Sequence, residues 1–279
     1  MTELIQIYGL AIIASIFLGG GLALLGMHLA ARERAMESLC VSQGAMIGVL
    51  FGLSFSQSFF LKVAPADLVT FVCGFMASAM TFLLSEKLTR KGYASNSTFA
   101  VALFMTLTAF SNILVATAPQ LETHMTQRFF GDLATMSDKT AWYLIIAGLV
   151  LISLFLLLKQ TFSRDSFALA VMGVKRTPSS QLFTIVSLAA VCLSVQFAGL
   201  LFTAGCLFVP TAVLSFSNQP SLKRHAYLCV VLTSLSCGAG FILTLWHTKL
   251  PTVPTIVILL TIMSLVTLTL ERLAPKVRR

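Results

Sequence analysis

A chain of 279 residues in which 57% are hydrophobic and only 10% charged is not a soluble domain, where about a quarter of residues carry charge; its main solvent is lipid. The net charge of +9 is what anionic lipid at an inner membrane face attracts, and it gives no reason to expect nucleic-acid binding. The cysteines, Cys40, Cys73, Cys192, Cys206, Cys229 and Cys237, fall in or beside apolar runs without CxxC spacing, which excludes a disulfide scaffold and reads as small core residues.

The first apolar run, Ile5 to Ala31, follows Glu3 with no basic residue and no small-residue cleavage site, so it is expected to remain in the mature chain rather than serve as a secretory signal. Gly19, Gly20 and Gly21 either meet a glycine strip on the second run or let the helix bend. A basic turn leads to the second run, Val41 to Phe60, where Gly44, Gly48 and Gly52 lay a smooth strip on one helix face for the close approach of another backbone. Runs at Val63 to Leu84, Phe99 to Ala118 and Ala141 to Leu158 follow, near the roughly 20 residues that cross the hydrocarbon core as helices with satisfied backbones. The loop before the fifth run holds Glu122, His124 and Asp132, which either receive a cation, contact a binding protein, or are simply solvated. His28 reads as an interfacial histidine within reach of Glu33, and His225 and His247 as structural residues at span ends.

The segment 162–178, FSRDSFALAVMGVKRTP, is polar and amphipathic and has the length of a short helix outside the bilayer, a handle by which a partner's movement reaches a membrane path. The apolar stretch beyond it is too long for one span and divides into Leu182 to Phe202 and Leu207 to Phe216, with Gly199, Gly205 and Pro210 as the break. A proline frees a backbone carbonyl, which is tolerated only against protein or a water-filled cavity; the three residues therefore read as a pore-lining gate or as a structural kink. Leu207 to Phe216 is either a crossing or a re-entrant piece, and the runs Ala226 to Trp246 and Val253 to Leu270 complete the chain.

With nine crossings, one face collects Arg32, Arg34, Lys87, Arg90, Lys91, Lys159, Arg164, Lys175, Arg176, Lys223, Arg224, Arg272, Lys276, Arg278 and Arg279, leaving only Lys62, Arg128, Lys139 and Lys249 on the other. The positive-inside rule then puts the N-terminus outside and the C-terminus in the cytoplasm. No linker divides the chain, and no inverted repeat of the secondary-transporter kind stands out, so residues 1–279 read as one all-α transmembrane bundle of eight or nine spans. No GxxxxGK[ST], HExxH or GxSxG motif occurs, and an enzyme has no constellation to stand on. Any ATP hydrolysis must come from another subunit.

Several stretches, in order, resemble the integral-membrane permeases of zinc, manganese and iron type ABC importers: GLALLGMHLAARERAMESLCVSQGAMIG, RFFGDLATMS, SRDSFALAVMGV, VQFAGLLFTAGCLFVPTAV and LPTVPTIVILL. The resemblance covers nearly the whole chain. It implies a permease of the type II importer kind in the bacterial cytoplasmic membrane, a homodimeric path, a separate cytoplasmic ATPase subunit, an extracytoplasmic metal-binding protein, and no permanent cofactor, the divalent metal ion being cargo. It also implies that SRDSFALAVMGV is the coupling helix, with Arg164, Asp165 and Ala168 as docking face and Gly173 as the turn that ends it.

One departure concerns the cargo. The family's second span usually carries an aspartate and, four residues on, a histidine, which share a helix face and ligate a divalent cation. Here the aligned positions are Leu39 and Gln43, and SQGAMIG is similar to the corresponding turn of siderophore and vitamin permeases. Glu37, Cys40 and Gln43 offer a substitute set of carboxylate, thiol and amide along one face; the ordinary alternative is that Glu37 offsets Arg32 or Arg34 and Cys40 packs. A permease for a metal chelate is thus a second reading. A secondary transporter lacks mid-membrane acids here, and a non-transporting scaffold would tolerate the missing pair.

Overall fold

The computed structural model describes residues 2–32, 34–58, 66–90, 96–118, 121–131, 133–172, 178–216, 222–247 and 250–273, and among these it contains helices and no strand. In chain order the helices are α1 (Thr2–Ala31), α2 (Ala35–Ser58), α3 (Ala66–Arg90), α4 (Asn96–Thr117), α5 (Glu122–Phe130), α6 (Asp138–Leu157), α7 (Lys159–Met172), α8 (Pro178–Ala198), α9 (Leu200–Ser215), α10 (Leu222–Trp246) and α11 (Thr252–Leu273). Eight of them, all but α5, α7 and α9, are long and apolar enough to cross a membrane. Helix starts follow local chemistry: Ser137 caps α6 by accepting from the Thr140 amide at 3.3 Å, and Pro178 opens α8, where its missing N–H costs nothing.

The expected break after α8 is corrected in position. Gly199 has φ +92°, a left-handed conformation that only glycine adopts without strain, so α8 ends at Ala198 and α9 takes Leu200 onward. Gly205 and Pro210 then lie inside α9, not at its start. The loosened groups at the break are satisfied locally: the Thr203 hydroxyl donates to the Gly199 carbonyl at 2.8 Å and lies 2.7 Å from the Ser194 hydroxyl. With 16 residues, α9 spans about 24 Å, short of the roughly 30 Å hydrocarbon core. It is longer than the Leu207 to Phe216 run because the residues before Leu207 belong to it.

The helices sort into two units. One comprises Met1–Ala30, Leu133–Ser163 and Ala204–Arg279. Its core joins Ala23 of α1, Leu214 of α9, Cys229 and Leu232 of α10 and Leu260 of α11. A Cβ at Gly26 would lie 1.9 Å from the Leu207 carbonyl oxygen, so α1 and α9 touch backbone to backbone. The Gly19 to Gly21 run packs on α10 and α6, against Cys237, Ser234 and Leu151, while α1 continues through it as one helix.

The other unit comprises Ala31–Asp132 and Arg164–Thr203. Its Gly44, Gly48, Gly52 strip lies on α3: a Cβ at Gly48 would come within 2.4 Å of the Cys73 carbonyl. Gly131, φ +79°, ends α5 by donating its N–H to the Gln127 carbonyl.

Candidate functional site

The polar residues that sequence reasoning singled out on α2 have separate partners. Glu37 pairs with Arg34 at 3.6 Å, as an i,i+3 pair in the first turn can. Cys40 is buried and donates its thiol to the Ala100 carbonyl of α4 at 2.9 Å. Gln43 is fully buried, its amide nitrogen 3.5 Å from the Ser111 hydroxyl of α4, and its Oε1 accepts no hydrogen bond. Among the described residues no group of three or more His, Cys, Asp or Glu is arranged to hold a metal ion.

A second cluster forms where α3, α5 and α8 meet. The Gln196 amide nitrogen donates to the Asp67 carbonyl at 3.0 Å and to the Thr70 hydroxyl at 2.8 Å, while its Oε1 is buried without a donor. Burial lowers the Arg128 pKa, and the nearby Asp67 charge opposes that shift. Gly199 is pressed on Gly131: a Cβ at Gly199 would lie 2.5 Å from the Gly131 Cα. Two glycines with positive φ thus close the junction between the end of α5 and the α8–α9 break.

The third cluster ties the expected coupling helix to the rest of its unit. Arg32, in the turn before α2, is only 8% exposed. Its Nε donates to the Ser166 hydroxyl of α7 at 3.0 Å, and its guanidinium lies 3.7 Å over the Phe183 ring of α8. Burial lowers its pKa to about 10, opposed by Asp165 and assisted by Arg34, so it remains a cation at neutral pH. Asp165 accepts a hydrogen bond from Ser179 at the start of α8, and Arg164 is exposed beside it. Ala168 lies within α7, and Gly173 and Asp132 lie outside the described residues. The segment expected at 162–178 is α7 from Lys159, because only Leu158 separates it from α6; Pro178 already belongs to α8.

The remaining predicted positions belong to the first unit. A Cβ at Gly205 would meet Val257 of α11 at 2.6 Å, and Pro210 is buried within α9. His28 is buried, not solvated, stacked on Phe155 with ring centroids 5.2 Å apart. Sequence reasoning missed Arg32 as a node, Gln196 and the Gly131 contact. Arg32 looked like any loop cation, because its partners lie more than a hundred residues away.

The sequence model of the ABC 3 transport family matches residues 4–271. Among solved structures, the fold is similar to PsaBC from Streptococcus pneumoniae, solved in complex with Fab, with a TM-score of 0.72 and 17% identity over 92% of this chain and 89% of that one. It is also similar to an inward-facing ABC transporter assigned to the metal-chelate type, with a TM-score of 0.60 and 16% identity over 93% of this chain and 82% of that one. No curated protein matches the sequence.

Proposed function

The chain belongs to the ABC 3 transport family, and from that premise we propose that it is the permease subunit of an ATP-driven importer of divalent metal ions, zinc, manganese or iron. The observation that carries the reading is a family match spanning residues 4–271 of a chain with eight helices fit to cross a membrane. Lacking a phosphate loop, the subunit relies on a separate cytoplasmic ATPase. Two copies form the path, an extracytoplasmic binding protein delivers the ion, and no cofactor is held between cycles. The protein sits in the bacterial cytoplasmic membrane with its C-terminus inside, as the distribution of basic residues supports when the short α9 is counted as a ninth crossing.

Within this mechanism α7 receives the push of the ATPase, through Arg164, Asp165 and Ala168, and Gly173 ends the docking element. Arg32 gives that push a route: it grips Ser166 of α7 and Phe183 of α8 with one guanidinium. α8 leads to Gly199, where it meets Gly131, and beyond it to Gly205 and Pro210, which act as the gate region.

Gln43 favours a second reading, a metal chelate as cargo. Zinc sites use thiolate, imidazole and carboxylate, whereas Gln43 presents a neutral buried amide and Glu37 is already paired. Reconstitution of the chain with its ATPase and binding protein in liposomes tests both. ATP-dependent accumulation of a bare ion is the expected result. Flux of only the chelate selects the second reading, and no flux of either from an ATP-hydrolysing complex overturns the importer assignment.

A further inference from the structure

A cavity of about 720 Å³ lies in the unit containing α1, α6 and α10, at the end where α6 passes into α7. Its lining combines two chemistries. His28, Phe155 and Leu156 form an aromatic and aliphatic wall, while Lys159, Lys223 and Tyr227 bring two ammonium groups and a phenol to its rim. The two lysines are exposed, and among the described residues neither is paired with a carboxylate; the neighbouring Arg224, by contrast, is held by Glu271 at 3.7 Å. The apolar wall opens outward, with Leu156 64% exposed and Tyr227 69% exposed.

We propose that this cavity binds one anionic phospholipid, its headgroup phosphate between Lys159 and Lys223 and its upper acyl chain along Phe155 and Leu156. Three features converge on that occupant. The lysines belong to the basic set that the positive-inside rule assigns to the cytoplasmic face, where anionic lipid supplies the negative surface potential. The volume is within the roughly 300–1,000 Å³ of small-molecule sites and far above the ~30 Å³ of a water molecule, so it suits a headgroup rather than a lone ion. An apolar wall at the helix exterior is of no use to a free water-soluble anion but matches an acyl chain, while an unpaired lysine beside it snorkels to the headgroup level. Tyr227 completes the site as the amphipathic ring that interfaces favour. The inference does not rest on the metal-import reading.

The test uses the full chain in its assembled transporter, titrated in micelles with phosphatidylglycerol or with phosphatidylcholine of the same acyl chains, and bound lipid counted by native mass spectrometry. Wild type should prefer phosphatidylglycerol by about 25-fold, roughly fivefold for each lysine beside an anionic headgroup. The Lys159→Gln/Lys223→Gln double variant should lose the preference, Lys159→Arg/Lys223→Arg should keep most of it, and Arg224→Gln should leave it unchanged. Should the double glutamine variant not assemble, a photoreactive phosphatidylglycerol on wild type should label α6, α7 and α10 about Phe155, Leu156 and these lysines. Equal binding of the two lipids by wild type, preference retained in the folded double glutamine variant, labelling confined to other helices, or cross-links from Lys159 to the ATPase or a second copy with lipid excluded would each overturn the proposal.

Discussion

Removing the Arg32 guanidinium should uncouple α7 from α8, and the size of the effect follows from its contacts. The Nε bond to Ser166 at 3.0 Å is charge-assisted and contributes about 1.5–3 kcal/mol. The stack over Phe183 at 3.7 Å is shielded from water on an arginine only 8% exposed, which puts it at about 1–2 kcal/mol. The two share one side chain and are not strictly additive, so Arg32→Met should cost about 3 kcal/mol of unfolding free energy. Arg32→Lys keeps the charge but loses the planar fork and should cost about half of that. A cycle of Arg32→Met with Phe183→Leu, which removes the ring but keeps an apolar side chain, should give a coupling energy of about 1 kcal/mol. Denaturant unfolding in mixed micelles measures the cycle; uptake per ATP hydrolysed in proteoliposomes measures the mechanical consequence, which should fall in both single variants. Burial holds the Arg32 pKa near 10, below its ordinary value. The unfolded state therefore binds more protons between those values, and stability tied to this group rises with pH only there; the coupling should be flat between about pH 6 and 9. An additive cycle within about 0.3 kcal/mol, or intact uptake per ATP in Arg32→Met, contradicts the node.

Gly199→Ala combines a left-handed φ, about 1–2 kcal/mol for a non-glycine residue, with a Cβ 2.5 Å from the Gly131 Cα, an overpacking cost of about 1–3 kcal/mol; thermal unfolding should register a loss near 3 kcal/mol. Gly205→Ala meets the Val257 side chain and should lose clearly less, so equal losses contradict the assignment of the break to Gly199. The Leu39→Asp/Gln43→His variant places a carboxylate and an imidazole one turn apart on α2, and zinc binding by calorimetry should strengthen at least tenfold. No gain places these positions off the path.

The membrane class, the span locations and the separate short helix α7 were legible because hydrophobic length and charge asymmetry act locally along the chain. Gly199 was legible as a break, yet Gly205 and Pro210 were grouped with it because composition cannot tell a glycine with positive φ from one that only makes room for Val257. The strip Gly44, Gly48, Gly52 was legible as a packing face, but its partner α3 was not, since small residues specify closeness without identity. Arg32 was opaque for another reason. Its burial depends on Ser166 and Phe183, which arrive from distant turns of the chain, and nothing in ARERAM separates a buried arginine from a solvated one.

The buried polar side chains of the unit holding α2, α3, α4 and α8 are, within the described spans, all neutral: serines and threonines, with Gln43 and Gln196. Charge in this unit lies toward the helix ends, with Arg32 and the Arg34–Glu37 pair on one side and Arg128 near Asp67 on the other. Both glutamines keep a buried Oε1 without a donor, and an unsatisfied acceptor costs about 1–3 kcal/mol. Amide oxygens held in that state complement donors, such as the first-shell waters of a hydrated cation or the protonated groups of a chelate, better than they replace the charged ligands of a bare zinc ion. On the chelate reading, cargo passing these positions would keep its own inner ligands. On that reading Leu39 and Gln43 would change what is carried past α2 without abolishing carriage, and bare-ion uptake should rise relative to chelate uptake when charge is restored at those two positions.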